Sequence, residues 1–137
     1  MKFDIYGVDK IQPIWADHYF KTIANAKMGL NLSRGQAIKY YSSDRITQIV
    51  GNGLVCLIDE KTQYRDFFDD SEMVFYKNIN DLSEKILKIS RDEKLRKSIA
   101  RKGKSKYKKY FNSTLVADFI INKTLGRHSK KRFLWEK

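Results

Sequence analysis

A chain of 137 residues makes one domain with enough length for a real core, and its 42% hydrophobic and 13% aromatic content argues against disorder throughout. The single cysteine, Cys56, excludes a disulfide framework or a zinc cluster within one chain. The net charge of +12 is unevenly placed: residues 1–87 hold 11 Lys/Arg against 12 Asp/Glu, whereas residues 88–137 hold 17 against 4.

In chain order, Phe3-Asp4-Ile5-Tyr6-Gly7 alternates apolar and polar residues, the pattern of a short strand. Val8 to Ala16 reads as a loop around Pro13. Asp17 is placed to cap a helix running to about Ala26, with Tyr19, Phe20 and Ile23 as its apolar contacts. Met28 to Ser33 is a second strand, and Arg34 to Ile38 a loop. Ser42, Ser43 or Asp44 is placed to cap a short helix whose Ile46, Ile49 and Val50 recur at helical spacing. Gly51 and Gly53 bracket its exit, where glycine takes a left-handed conformation cheaply.

Leu54 to Ile58 is a continuous apolar run, as in a strand covered on both faces. Asp59 to Thr62 is a turn, Gln63 to Phe68 a helical turn or two, and Glu72 to Tyr76 a fourth strand. Asn80 or Asp81 caps a helix with Leu82, Ile86 and Ile89 on one face. Asp92 favours the dipole of the next helix, where Leu95 and Ile99 form the buried stripe and Gly103 an interruption. Tyr107, Tyr110 and Phe111 place aromatics among lysines. Asn112, Ser113 or Thr114 restarts a helix with Leu115, Val116, Phe119 and Ile120 apolar, and Gly126 ends it. Arg127 to Lys137 is a basic tail, either unstructured or docked through Phe133, Leu134 and Trp135.

The fold class expected is α/β: Rossmann-like, about four parallel strands flanked by helices, with the C-terminal helices packed behind the sheet. Residues 1–125 form a single domain and 126–137 the tail. Ligands of such sheets bind outside the carboxyl ends of the strands. The start of the helix near Ser43 presents free N–H groups and the positive end of a dipole there, and Arg45 adds a cationic fork suited to phosphate.

The run Leu30-Asn31-Leu32-Ser33, followed by Ser43-Asp44-Arg45-Ile46-Thr47-Gln48-Ile49-Val50-Gly51-Asn52-Gly53, resembles the C-terminal half of GT-B-fold glycosyltransferases. It is most similar to the spore-maturation-type group, with its Ser, its Arg, a Glu three residues later, then small residues and Gly before a strand. Asn80 to Ile86 and Arg96 to Gly103 are similar to that family's helix pair after the last strand. The likeness spans roughly residues 3 to 120. It implies a domain that binds a nucleotide-diphosphate sugar as donor substrate, with no cofactor, for glycosyl transfer to an unknown acceptor; residue spacing itself indicates no metal site. Arg45 then lies near the diphosphate, and Gln48 stands where a glutamate usually holds the ribose hydroxyls. Tyr40 stands where many retaining relatives carry a second Glu. GT-B enzymes close two such domains over a cleft, so the resemblance implies half of an enzyme, completed by an N-terminal acceptor domain or a separate chain.

The candidate nucleotide-sugar-binding residues are Asn31, Ser33, Arg34, Ser42, Ser43, Arg45 and Gln48; no catalytic residue is assigned. The bland readings are a surface pair of Arg45 with Asp44 or a neighbouring carboxylate, an exposed Gln48, and Ser42 and Ser43 as caps. Asp69-Asp70 is read as a solvated turn rather than an ion site, and His18 and His128 lack partners at ligand spacing. Two other readings rest on different features. Residues 88–137 could form a basic nucleic-acid-binding module, although Tyr107 and Phe111 at i, i+4 point to core instead. The chain could also be a non-catalytic partner domain. Nucleic acid is not the expected partner, whereas the basic C-terminal part offers a peripheral membrane contact. The start lacks the apolar run of a signal peptide and no stretch approaches the roughly 20 apolar residues of a span, so a cytoplasmic location is expected.

Overall fold

The computed structural model describes residues 2–32, 35–129, 131 and 133–136. Three strands, β1 (Met28–Asn31), β2 (Val55–Asp59) and β3 (Val74–Tyr76), form one parallel sheet in the order β1-β2-β3. The register sets Leu30 beside Leu57 and Ile58 beside Phe75. The helices are α1 (Ala16–Asn25), α2 (Arg45–Gly51), α3 (Ile79–Arg91), α4 (Glu93–Tyr110) and α5 (Ser113–Thr124). Two short 3-10 turns, Glu60–Thr62 and Tyr64–Asp66, lie between β2 and β3.

The Rossmann-like α/β class is the one the sequence indicates, with three strands among the described residues. The segment that falls short is Phe3 to Gly7, which forms no strand. Phe3 is 58% and Ile5 47% exposed, so the alternating pattern has no face to pack on. A strand also needs a neighbour for its N–H and C=O groups, and this segment pairs neither with the open edge of β1 nor with any other strand.

β2 is the centre of the core because it is apolar on both faces. Cys56 and Ile58 face one cluster with Ile46, Ile49 and Val50 of α2 and with Phe67, Phe68 and Phe75. Val55 and Leu57 face the other, with Leu82, Ile86 and Ile89 of α3 and Ile99 of α4. Cys56 is buried, and that burial pushes its thiol up to about 12. α2 reaches β1 closely because residue 29 is glycine: a Cβ there would meet Ile49 Cγ1 at 2.6 Å.

Several helix ends differ from expectation. α1 begins after Trp15, with no side-chain cap, and Asp17 lies within its first turn. Phe20 is 64% exposed rather than packed. α3 is capped by Asn78, whose Oδ1 accepts from the Asp81 N–H at 3.0 Å; Asn80 and Asp81 are already helical. Asp81 instead reaches back to accept from the Lys77 N–H at 2.9 Å. Asp92 and Asn112 cap α4 and α5, accepting from Leu95 and Leu115 N–H at 2.8 and 3.0 Å.

Gly103 does not interrupt α4. It is buried in mid-helix, where a Cβ would lie 2.3 Å from the carbonyl oxygen of Glu72. Glu72 precedes β3, and Lys104 lies beside Gly53, which precedes β2. The middle of α4 therefore crosses the amino end of the sheet. Its last turn carries Tyr107 and Phe111 into the core, stacked on Phe68 at 6.4 and 5.5 Å. Phe111 also packs on Trp135 at 5.6 Å, and Phe133 is 3% exposed, so the described part of the tail is docked.

Candidate functional site at the carboxyl edge of the sheet

The strands end at Asn31, Asp59 and Tyr76. Two of these ends are closed by the protein's own bonds. The Asp59 carboxylate accepts from the Lys61 N–H at 2.8 Å, and its carbonyl accepts from Thr62 Oγ1 at 2.6 Å. Beyond β3, Lys85 Nζ donates to the Phe75 carbonyl at 2.7 Å and to Asp81 Oδ2 at 2.9 Å. The corner between β1 and α2 is different, because donors there lack acceptors.

Asn31 is 2% exposed. Its Oδ1 accepts from Ser43 Oγ at 3.0 Å, and its Nδ2 is buried with no partner among the described residues. Ser43 Oγ in turn accepts from Arg45 Nε at 3.0 Å, and Arg45 Nη2 donates to the Leu32 carbonyl at 3.2 Å. Arg45 is thus held toward the carboxyl end of β1. It pairs with no carboxylate among the described residues, so the surface pair with Asp44 does not form. These two bonds use two of the five guanidinium N–H groups. The rest remain available at an exposed side chain.

No side chain caps α2. Asp44 is already helical, at φ −52° and ψ −20°, and makes no cap bond. The hydroxyls that would compete for the role are engaged elsewhere: Ser43 with Asn31 and Arg45, and Ser42 with Tyr64 Oη at 2.9 Å. The N–H groups of Ser43, Asp44 and Arg45 consequently have no acceptor among the described residues. Gln48 is half-buried one turn beyond Arg45, on the same side of the helix. Its side-chain amide has no partner among the described residues. Ser33 and Arg34 lie outside the described residues.

Residue spacing singles out neither Tyr64 nor Asp66, which set the loop before α2. Tyr64 Oη lies 3.2 Å from the Tyr40 carbonyl, and Tyr40 Oη donates to Asp66. Burial pushes the Tyr64 phenol up, against the opposing bond to Ser42. Tyr40 has a left-handed backbone, φ 59°, held by its N–H on the Thr62 carbonyl at 2.8 Å and by its ring against Phe67 at 4.9 Å. Its hydroxyl is therefore tied down rather than free. The only advance signal was the aromatic density of Gln63 to Phe68. Asp69-Asp70 is a solvated turn: Arg65 grips Asp70 at 2.9 and 3.0 Å, and Asp69 accepts from the Ser71 N–H at 2.7 Å.

Fold and corner together define a Rossmann-like α/β domain with an edge rich in unused donors. The chain belongs to the glycosyl transferase-like family, whose model matches residues 1–122. No curated protein and no solved structure matches it. Among the described residues, no helix is long and apolar enough to cross a membrane.

Proposed function

We propose that the β1–α2 corner binds the diphosphate of a nucleotide-sugar donor, and that the chain is the donor-binding half of a glycosyltransferase. The reading rests on one observation: Asn31, Ser43 and Arg45 form a bonded chain that ends in an unpaired guanidinium beside unused backbone N–H groups. A guanidinium with free N–H groups donates to a phosphate bidentately. Fixed donors of this kind stabilise the charge that develops on a departing diphosphate. Gln48, with both donor and acceptor atoms, is suited to a ribose diol, and Ser33 and Arg34 remain part of the proposed set. The acceptor half comes from another domain or chain, which also excludes water from the activated sugar.

Calorimetry with uridine, guanosine and adenosine diphosphates and their sugar conjugates tests this. Arg45→Ala should weaken binding at least about tenfold, about 1.4 kcal/mol, while leaving the melting temperature near that of the parent, because the side chain is exposed. Equal affinity in the variant would remove Arg45 as the anchor.

A further inference from the structure

α5 shows solvent the wrong side for a helix on a water-facing surface. Its inner side carries Leu115 and Phe119, with the Phe119 ring against Phe133 at 5.1 Å and Trp135 at 5.8 Å. Its outer side carries Val116, Ala117, Ile120 and Ile121, continued by Leu125 just past the helix. Ile120, Ile121 and Leu125 are 55%, 53% and 55% exposed. At 3.6 residues per turn Val116, Ala117, Ile120 and Ile121 cover an arc of about 140°, interrupted only by Ser113 and Thr124. No charge lies in that arc, where a surface helix normally places one.

The surroundings are strongly basic. The segment 88–137 has 17 Lys/Arg against 4 Asp/Glu. Lys123 and Lys131 are paired, with Glu136 at 2.5 Å and Asp118 at 2.8 Å. Lys108 and Lys109, in the last turn of α4 just before α5, and Arg127, just after it, make no ion pair among the described residues. An aliphatic stripe with unpaired cations before and after it in the chain suits acyl chains beneath a layer of negative headgroups.

We propose that α5 lies in the interface of an anionic bilayer, apolar arc inward, with Lys108, Lys109 and Arg127 on the headgroups. A second copy of the chain fits less well, because docking stripe to stripe brings two basic ends together. Nucleic acid fits less well too, because the stripe is aliphatic and offers no ring for a base to stack on. This inference does not depend on the donor site.

The test is co-sedimentation of the full chain with phosphatidylcholine vesicles, with and without phosphatidylglycerol. The chain should pellet with the anionic vesicles and not the neutral ones, and added salt should release it. The double variant Ile120→Ser, Ile121→Ser should bind at least about tenfold less, with an unchanged melting temperature, since both side chains are exposed. A second readout uses Ile121→Cys carrying an environment-sensitive dye; Cys56, the only other thiol, is 1% exposed and stays unlabelled. The dye emission should shift to the blue on anionic vesicles. Binding that ignores lipid charge, a serine variant that binds like the parent, or an unshifted dye would overturn the proposal. So would a lipid-free dimer that the serine variant abolishes, or oligonucleotide binding that displaces the chain from vesicles and is indifferent to the serine changes.

Discussion

The carbonyl oxygen of Glu72 fills the space that a side chain at Gly103 would need: a Cβ there would lie 2.3 Å away. One turn on, Lys106 Nζ meets the Glu72 carboxylate at 2.7 Å, so the same residue is held twice against α4. This joint fixes the longest helix across the amino end of the sheet.

Gly103→Ala sets two effects against each other. Alanine is favoured over glycine in mid-helix by about 1 kcal/mol. Forcing a methyl against backbone costs about 1–3 kcal/mol or more, because a carbonyl cannot swing away like a side-chain tip. The expected result is a net loss of stability in a urea melt. A variant more stable than the parent would show that α4 shifts freely.

Ser43→Ala removes both the donor to Asn31 and the acceptor of Arg45 Nε. Asn31, 2% exposed, then has no partner for its oxygen either. A buried polar group left unmatched costs about 1–3 kcal/mol. The variant should lose stability on that scale and bind nucleoside diphosphates several-fold more weakly, though less so than Arg45→Ala. Parent-like stability together with parent-like affinity would show that Ser43 orients nothing.

Burial raises the Cys56 thiol from 9.0 to about 12. The unfolded thiol ionises near its ordinary value while the folded one stays protonated. Its contribution to stability is therefore complete below pH 9 and declines as pH rises toward 12. Comparing urea melts of the parent and Cys56→Ala isolates this group from the tyrosines and lysines that titrate nearby. The parent should lose ground to the variant across that window, by at most about 4 kcal/mol at 1.36 kcal/mol per pH unit. A constant difference between the two proteins would contradict the buried, neutral thiol.

Phe133 is 3% exposed and bridges Phe119 of α5 and Trp135. Phe133→Ala should cost about 3–5 kcal/mol if the docked segment is part of the cooperative fold. Hydrogen exchange should quicken across α5 before it does in β2, because α5 is held through these rings. An unchanged melt would mean that the tail contributes nothing to the core.

The sequence by itself determined whatever depends on local spacing. The apolar run through Ile58 had to be a doubly covered strand, and Leu82, Ile86 and Ile89 had to share a buried helix face. Tyr107 and Phe111 at helical spacing belonged to the core despite the lysines around them. It also placed Asn31, Ser43 and Arg45 at the carboxyl edge, since strand–helix alternation puts such residues there. Only the tertiary structure decided which atoms these groups meet. Ser43 gave up its cap for Asn31, Gly103 stayed in mid-helix because Glu72 lies against it, and Phe3 to Gly7 formed no strand because it pairs with no other segment. The physical reason is common to all three. Periodicity is a property of consecutive residues, whereas a hydrogen bond, a close approach and a strand pairing each need a partner that folding brings from elsewhere in the chain.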